Sequence, residues 1–458
     1  MLGTATVSKS GETLDKRIIS RSEHSISRQD ISENALKVLY RLHKNGYHAY
    51  LVGGGVRDLL LGKLPKDFDI ATDATPEQIK ALFRNCRLVG RRFRLAHILF
   101  GRDVIEVATF RGHHDKQDPK KDLKQNVSRQ SDEGMLLRDN VYGSIDEDAE
   151  RRDFTVNALY YNIADFSVID FANGLEDIEK RQLRLIGDPE TRYREDPVRM
   201  LRAVRFAVKL DFEIAPSAAE PIQELHGLLR EIPSARLFEE CLKLFLSGQG
   251  RDTFLMLAQT QLLYPLFPQL KTWLPQWGED SQEIRFILRC LENTDRRVQT
   301  DQRVTPAFIF AAVLWPLVQI REQELLTELS LSPQDAMTMA MNDVLDAQCK
   351  AVAIPKRFTS AIREIWTLQH RLDRRFGKRA YKTFEHPRFR AAFDFLELRA
   401  EISQDPEQLA LSQWWDDWQK VDEAGRNRLL KALDDKGPRK PRRKRRKPTK
   451  AKPVESND

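Results

Sequence analysis

Residues 51–58 read Leu-Val-Gly-Gly-Gly-Val-Arg-Asp, and residues 67–69 read Asp-Phe-Asp. The apolar run 49–52 predicts a short strand, Gly53, Gly54 and Gly55 end it, and 56–61 opens a helix. A turn without side chains lets backbone N–H groups and a helix N-terminus approach a phosphate. A second strand is expected over 68–72. Because a strand alternates its side chains, Asp67 and Asp69 project from one face while Phe68 points to the core on the other. Two carboxylates in one solvent pocket repel and raise a pKa unless a cation joins them. Mg²⁺ resolves this, since it takes one or two carboxylates together with substrate phosphate oxygens. Alone, three glycines are a turn and Asp-x-Asp is a solvated loop; in this order and spacing they point to a metal- and phosphate-binding site.

Outward from this stretch, short strands and helices alternate as far as about residue 190. An amphipathic helix over 31–45 carries Ala35, Leu36, Val38, Leu39 and Leu42 on its apolar side, a helix is expected over 76–83, and strands over 95–101 and 104–110. Residues 1–28 are polar and unpatterned, and 112–140, with 12 charged residues and few apolar ones, read as a loop. Farther on, segments 235–246, 307–320, 335–352, 359–372, 389–401 and 409–418 carry helical spacing. The expected class is α+β: a head with a small mixed sheet, then an all-helical neck and body. The boundaries read as a polar N-terminal tail 1–30, head 31–180, neck 181–270, helical body 271–435 and disordered basic tail 436–458.

A chain of 458 residues exceeds one core. No apolar run reaches the about 18–20 residues of a membrane span, and the first 28 residues lack the apolar segment of a secretory leader, so a cytoplasmic address is expected. Cys86, Cys241, Cys290 and Cys349 are too scattered for a metal knuckle or a disulfide framework and read as core thiols. Eleven Lys or Arg against two acids fall in 436–458, so the net charge of +7 lives in the tail and the rest is slightly acidic. Such a run is either a solubilising tail or an arm that seeks nucleic-acid phosphates; anionic lipid would attract the same cations, although membrane association is not expected.

Gly53-Gly54, the gap of about a dozen residues and Asp67-x-Asp69 resemble the active-site signature of the DNA polymerase β nucleotidyltransferase superfamily. Two later blocks, Arg151-Arg152-Asp153-Phe154-Thr155-Val156-Asn157-Ala158-Leu159 and Glu195-Asp196-Pro197-Val198-Arg199-Met200-Leu201-Arg202-Ala203-Val204-Arg205-Phe206-Ala207, narrow the resemblance to the branch holding bacterial poly(A) polymerases and CCA-adding enzymes. The segment Leu88-Val89-Gly90-Arg91-Arg92-Phe93-Arg94-Leu95-Ala96-His97, Gly112-His113-His114 and the basic extension are similar to the poly(A) polymerases rather than to their tRNA-directed cousins.

The resemblance implies template-independent transfer of AMP from ATP to RNA 3′ ends, with pyrophosphate released. It implies two Mg²⁺ ions, or Mn²⁺ in their place, on Asp67 and Asp69, and ATP contacts from Gly53, Gly54, Arg57 and Arg152. Asp153 matches an active-site aspartate and is expected near the metals or the nucleotide, with Glu106, in the strand Val104-Ile105-Glu106-Val107, competing for that place. Asp196 and Arg199 match residues that read the incoming base, and Arg202 and Arg205 match ATP-contacting positions. The plainer readings are a surface cation for Arg57, a partner of Glu150 for Arg152 and a helix N-cap before Pro197 for Asp196. Arg199, Arg202 and Arg205 recur every third residue with no acid between them, which by itself favours phosphate or base contact. His97 reads as a structural histidine, and Trp414, Trp415 and Trp418 as packing rather than an RNA-stacking platform. The alternatives are a tRNA CCA- or A-adding enzyme and a catalytically idle RNA-binding scaffold. RNA and ATP are the expected partners, with RNA-decay or RNA-chaperone proteins compatible.

Overall fold

All four residues of the strand Ala49–Val52 are buried, which a strand on a half-solvated sheet does not achieve. Ala49 and Leu51 join one apolar cluster with Val38, Leu39, Ile70 and Val107, whereas Tyr50 and Val52 join a second with Ala71, Phe110, Tyr160 and Phe171. The sheet that carries this strand is therefore covered on both faces. In the computed structural model, which describes residues 16–90, 94–112, 141–278 and 280–434 and short strand pieces at 6–7, 13–14, 128–130 and 136–139, that sheet has eight strands. In chain order they are β1 (Arg17–Ile19), β2 (Ala49–Val52), β3 (Asp69–Thr72), β4 (Cys86–Val89), β5 (Leu95–Phe100), β6 (Asp103–Thr109), β7 (Leu159–Asn162) and β8 (Val168–Asp170). Their spatial order is β1-β8-β7-β2-β3-β6-β5-β4, antiparallel except for the parallel pair β3 and β6.

Helices α1 (Glu33–Lys44), α2 (Gly54–Leu60) and α3 (Pro76–Leu82) alternate with these strands, as the sequence predicts. Ser32 caps α1 through a bond from the Ala35 N–H, and Thr75 and Gln78 form a capping box at α3. Four strands of this sheet escape the sequence reading, as does the short parallel pair Gln182–Leu183 and Glu213–Ile214 in the stretch read as all-helical neck. β1 lies in the stretch read as unpatterned, because a three-residue edge strand with Ile19 buried and Ile18 64% exposed leaves no period to see. β4, β7 and β8 are three or four residues long and equally unmarked. Most of 112–140 lies outside the described residues, but Ser128–Gln130 and Leu136–Asp139 pair as antiparallel strands where the sequence reads loop.

Beyond the head come α4 (Pro189–Glu195), α5 (Val198–Leu210), α6 (Pro216–Leu225), α7 (Ser234–Phe245), α8 (Gly250–Gln259), α9 (Gln282–Gln299), α10 (Pro306–Glu328) and α11 (Pro333–Ala351). The chain divides into two compact units, Met1–Thr359 and Ser360–Asp458. In the second, α12 (Phe389–Ser403) and α13 (Pro406–Lys420) build a core in which Trp415 and Trp418 are fully buried and Trp414 nearly so, beside Leu372, Phe389 and Phe393. Trp415 Nε1 donates to the Leu372 carbonyl at 2.9 Å. The tryptophans are packing, as expected, and offer no open face for a base. Cys86, Cys241 and Cys290 are buried as expected of core thiols, whereas Cys349 is only half-buried; none of the four is in a disulfide. No helix among the described residues is long and apolar enough to cross a membrane.

Candidate active site

β2 runs into Gly53, whose φ of +67° belongs to the region that side chains rarely enter. A Cβ there would also stand 3.1 Å from Arg152 Nη1, so backbone and neighbour both demand glycine. Across the sheet, Val52 pairs with Asp69 at the start of β3. The parallel register sets Ile70 opposite Val107, which places Asp69 beside Glu106 on the face away from those two apolar residues. Asp67 and Asp69 are both exposed. The Asp69 carboxyl is pushed up to about 6, first by lost solvation, then by the charge of Glu106; Arg152 opposes this and Asp67 adds to it. Among the described residues no three acids, histidines or cysteines converge to hold a metal unaided. The site is thus a mutually repelling pair of aspartates with Glu106 alongside, a donor set that suits a hard divalent cation sharing its shell with substrate oxygens. His97, opposite Glu106 across the β5–β6 pair, has Nε2 3.4 Å from Glu106 Oε1.

The cations divide into spent and free ones. Arg57 is fully buried rather than a surface cation: Nε and Nη2 donate to Asp58 Oδ1 at 2.9 and 2.6 Å, and Nη1 to Asn157 Oδ1 at 2.6 Å. Arg152 pairs with Asp148 rather than Glu150: Nη2 lies 3.1 Å from Asp148 Oδ2, and Nε donates to the Tyr160 hydroxyl at 2.7 Å. The Tyr160 hydroxyl in turn donates to Asp148 Oδ2 at 2.7 Å. Burial would lower the Arg152 guanidinium, but Tyr160 and Asp148 raise it instead. The site therefore keeps a permanent cation within electrostatic reach of Asp69.

Asp153 sits with the arginines of α5. Its Oδ1 accepts from Arg199 Nε at 3.0 Å and its Oδ2 from Arg202 Nε at 2.5 Å. Burial alone would raise its carboxyl, yet the charges of Arg202 and Arg199 hold it well below the usual carboxylate range. Arg192, on α4, ties its Nη2 to the carbonyls of Arg151 and Arg152 at 2.9 and 2.6 Å, fixing the turn that presents Asp153. Asp196 is not a side-chain N-cap: Oδ2 accepts from Arg236 Nη2 at 2.9 Å, and Oδ1 is buried with no partner among the described residues. Arg205 makes no hydrogen bond or ion pair among the described residues and rests on the Phe206 ring at 5.1 Å. Burial, then the charge of Arg202, lowers its guanidinium. Sequence reasoning missed Asp148, Tyr160, Arg192 and Arg236, which act on the site from separate elements.

Three family models match the chain: the poly A polymerase head domain over residues 49–184, the probable RNA and SrmB-binding site of polymerase A over 211–274, and the polymerase A arginine-rich C-terminus over 330–450. Poly(A) polymerase I of Salmonella typhimurium is 56% identical over 437 residues, covering 95% of this chain and 92% of that protein. The chain belongs to the poly(A) polymerase I family. The CCA-adding enzyme of Lactobacillus helveticus is 35% identical over 254 residues, 53% of this chain and 60% of its own length. The structure of the Bacillus stearothermophilus CCA-adding enzyme in complex with CTP covers 87% of this chain and 82% of its own, at 26% identity and a TM-score of 0.51. The tRNA-directed relatives thus share the architecture, whereas the poly(A) polymerase likeness spans almost the whole chain. This member of the family is a nucleotidyltransferase that adds poly(A) to RNA 3′ ends, using a nucleotide substrate and a divalent metal. Both the tRNA-directed alternative and the idle scaffold fall away.

Proposed function

We propose that Asp67 and Asp69 hold two Mg²⁺ ions, with Mn²⁺ able to replace them, and that Glu106 rather than Asp153 is the acid beside them. The observation behind this is the parallel register that sets Asp69 beside Glu106, two positions from Asp67, while both Asp153 oxygens are taken by arginines. When bound, the ions lower the pKa of the RNA 3′-hydroxyl and stabilise the pyrophosphate leaving group. The chain's own part is positioning and charge. Gly53 and Gly54 keep side chains away from the nucleotide, Arg202 and Arg205 meet the triphosphate, and Arg57 and Arg152 hold the walls of the pocket. Asp153 acts on the nucleotide side by orienting Arg199 and Arg202. The 3′-oxygen then attacks the α-phosphorus in line with the departing pyrophosphate.

Base choice rests on Asp196 and Arg199. The single observation that carries it is the buried Asp196 Oδ1 without a partner beside Arg199, whose charge couples to it. A lone carboxylate oxygen accepts hydrogen bonds only, so where it faces the position that carries adenine N6 it also suits cytosine N4 and rejects the keto oxygen that guanine or uracil would set there. Removing that acceptor charge by Asp196→Asn should lower the preference for ATP over GTP and UTP by about 10²-fold in kcat/KM, measured with each nucleotide separately on a short RNA. An unchanged preference would place base selection elsewhere. We further propose the head, neck and body divisions given above, a cytoplasmic address, recruitment by RNA-decay or RNA-chaperone proteins, and a phosphate-seeking role for 436–458, which lie outside the described residues.

A further inference from the structure

Phe206 stands on α5 among the arginines assigned to the triphosphate, and its ring gathers guanidinium groups from two elements. Arg202 Cζ lies 5.5 Å and Arg205 Cζ 5.1 Å from the ring centroid. Both are helix neighbours, for which proximity in sequence would suffice. Arg57 is not: it comes from α2, behind Gly54, and places its Cζ 5.3 Å from the same centroid. Phe154, fully buried and next to Asp153, braces the ring edge-on with centroids 5.6 Å apart.

Charge bookkeeping shows what an aromatic ring does here that an acid would not. Arg57, Arg202, Arg205 and Lys209 crowd together against Asp58 and Asp153, with Lys209 Nζ 3.8 Å from Asp58 Oδ2. Arg199 shares Asp153 as well, and Glu240, whose charge reaches Arg205, is itself paired with Lys243, so cations outnumber acids around the ring. Like charges at such spacing repel. An acid placed among them would relieve the repulsion and cancel the charge needed by a phosphate ligand. The face of a phenyl ring carries partial negative charge, so it attracts each guanidinium while leaving the total charge untouched.

We propose that Phe206 is a positioning residue for adenylyl transfer: its ring, backed by the buried Arg57 and by Phe154, holds Arg202 and Arg205 as a preformed cradle for the nucleotide's triphosphate. This rests on the reading that Arg202 and Arg205 meet those phosphates. The full-length protein is made with phenylalanine at 206 carrying one, two or three ring fluorines, which drain the ring face with little change of shape, and with Phe206→Trp and Phe206→Leu. KM for ATP, kcat and the Kd of AMP are measured for each, with melting curves to confirm folding. KM for ATP should climb with each fluorine, to about 10-fold with three, as the ring face loses the partial negative charge that holds the guanidinium groups. The Kd of AMP and kcat should stay within about threefold, Phe206→Trp should retain tight ATP binding and Phe206→Leu should lose at least as much as the trifluoro ring. A flat fluorine series, or AMP weakening in step with ATP, overturns the proposal. Arg202→Ala and Arg205→Ala separate the two readings: raised KM for ATP in both with a flat fluorine series removes Phe206 alone, whereas unchanged KM in both removes the triphosphate reading itself and this proposal with it.

Discussion

Replacing Asp69 or Asp153 by asparagine removes the same charge from opposite settings. Asp69 titrates near 6, above the ordinary value of about 3.9, so between those values the folded state holds a proton that the unfolded state releases. Stability of the metal-free protein falls as pH rises through that window. Asp69→Asn should therefore melt higher than the parent above pH 6, lose Mg²⁺-dependent stabilisation, and retain on the order of 10⁻³ of the adenylation rate. Asp153 is shifted downward, so its contribution is present above about pH 4 and is lost as pH falls below the ordinary range. Asp153→Asn should cost about 3 kcal/mol at pH 7, because Arg199 and Arg202 lose a buried counter-charge. Melting curves across pH for both variants check the opposite signs. The acid pair and the arginine row were legible because their spacing is local. Arg192 and Arg236 were not, since their partners lie about 40 positions away and no pattern in the chain announces them.

At the scale of elements, Gly53 joins β2 to α2 and Arg152 closes over it. Gly53→Ala should destabilise the head by about 1–2 kcal/mol, since a side chain is forced into positive φ, and should raise KM for ATP by displacing the Arg152 guanidinium. A lowered melting temperature with unchanged KM would show that Arg152 yields without consequence. The helices were readable from their apolar period: 31–45 became Glu33–Lys44, 235–246 became Ser234–Phe245 and 389–401 became Phe389–Ser403. β7 was hidden for the opposite reason. Leu159, Tyr160 and Tyr161 are all buried because both sheet faces are covered, so no alternation survives in the sequence.

At the scale of the whole molecule, catalysis as proposed and the charge excess occupy different stretches of one chain. The head supplies the acids, α5 the arginines, and 436–458 eleven of the chain's cations. Deleting 436–458 should weaken RNA binding chiefly at low salt and flatten the dependence of log Kd on log salt, leaving KM for ATP unchanged; an unaltered slope removes the tail from RNA capture. The central claim is that the two aspartates two positions apart drive the transfer, and its direct test is extension of a short RNA with ATP and Mg²⁺ by the parent and by the Asp67→Asn, Asp69→Asn double variant, matched for folding by melting curve. The parent should build long A ladders while the double variant leaves the primer unextended over the same time; ladders growing at the parental rate from the double variant would contradict the account.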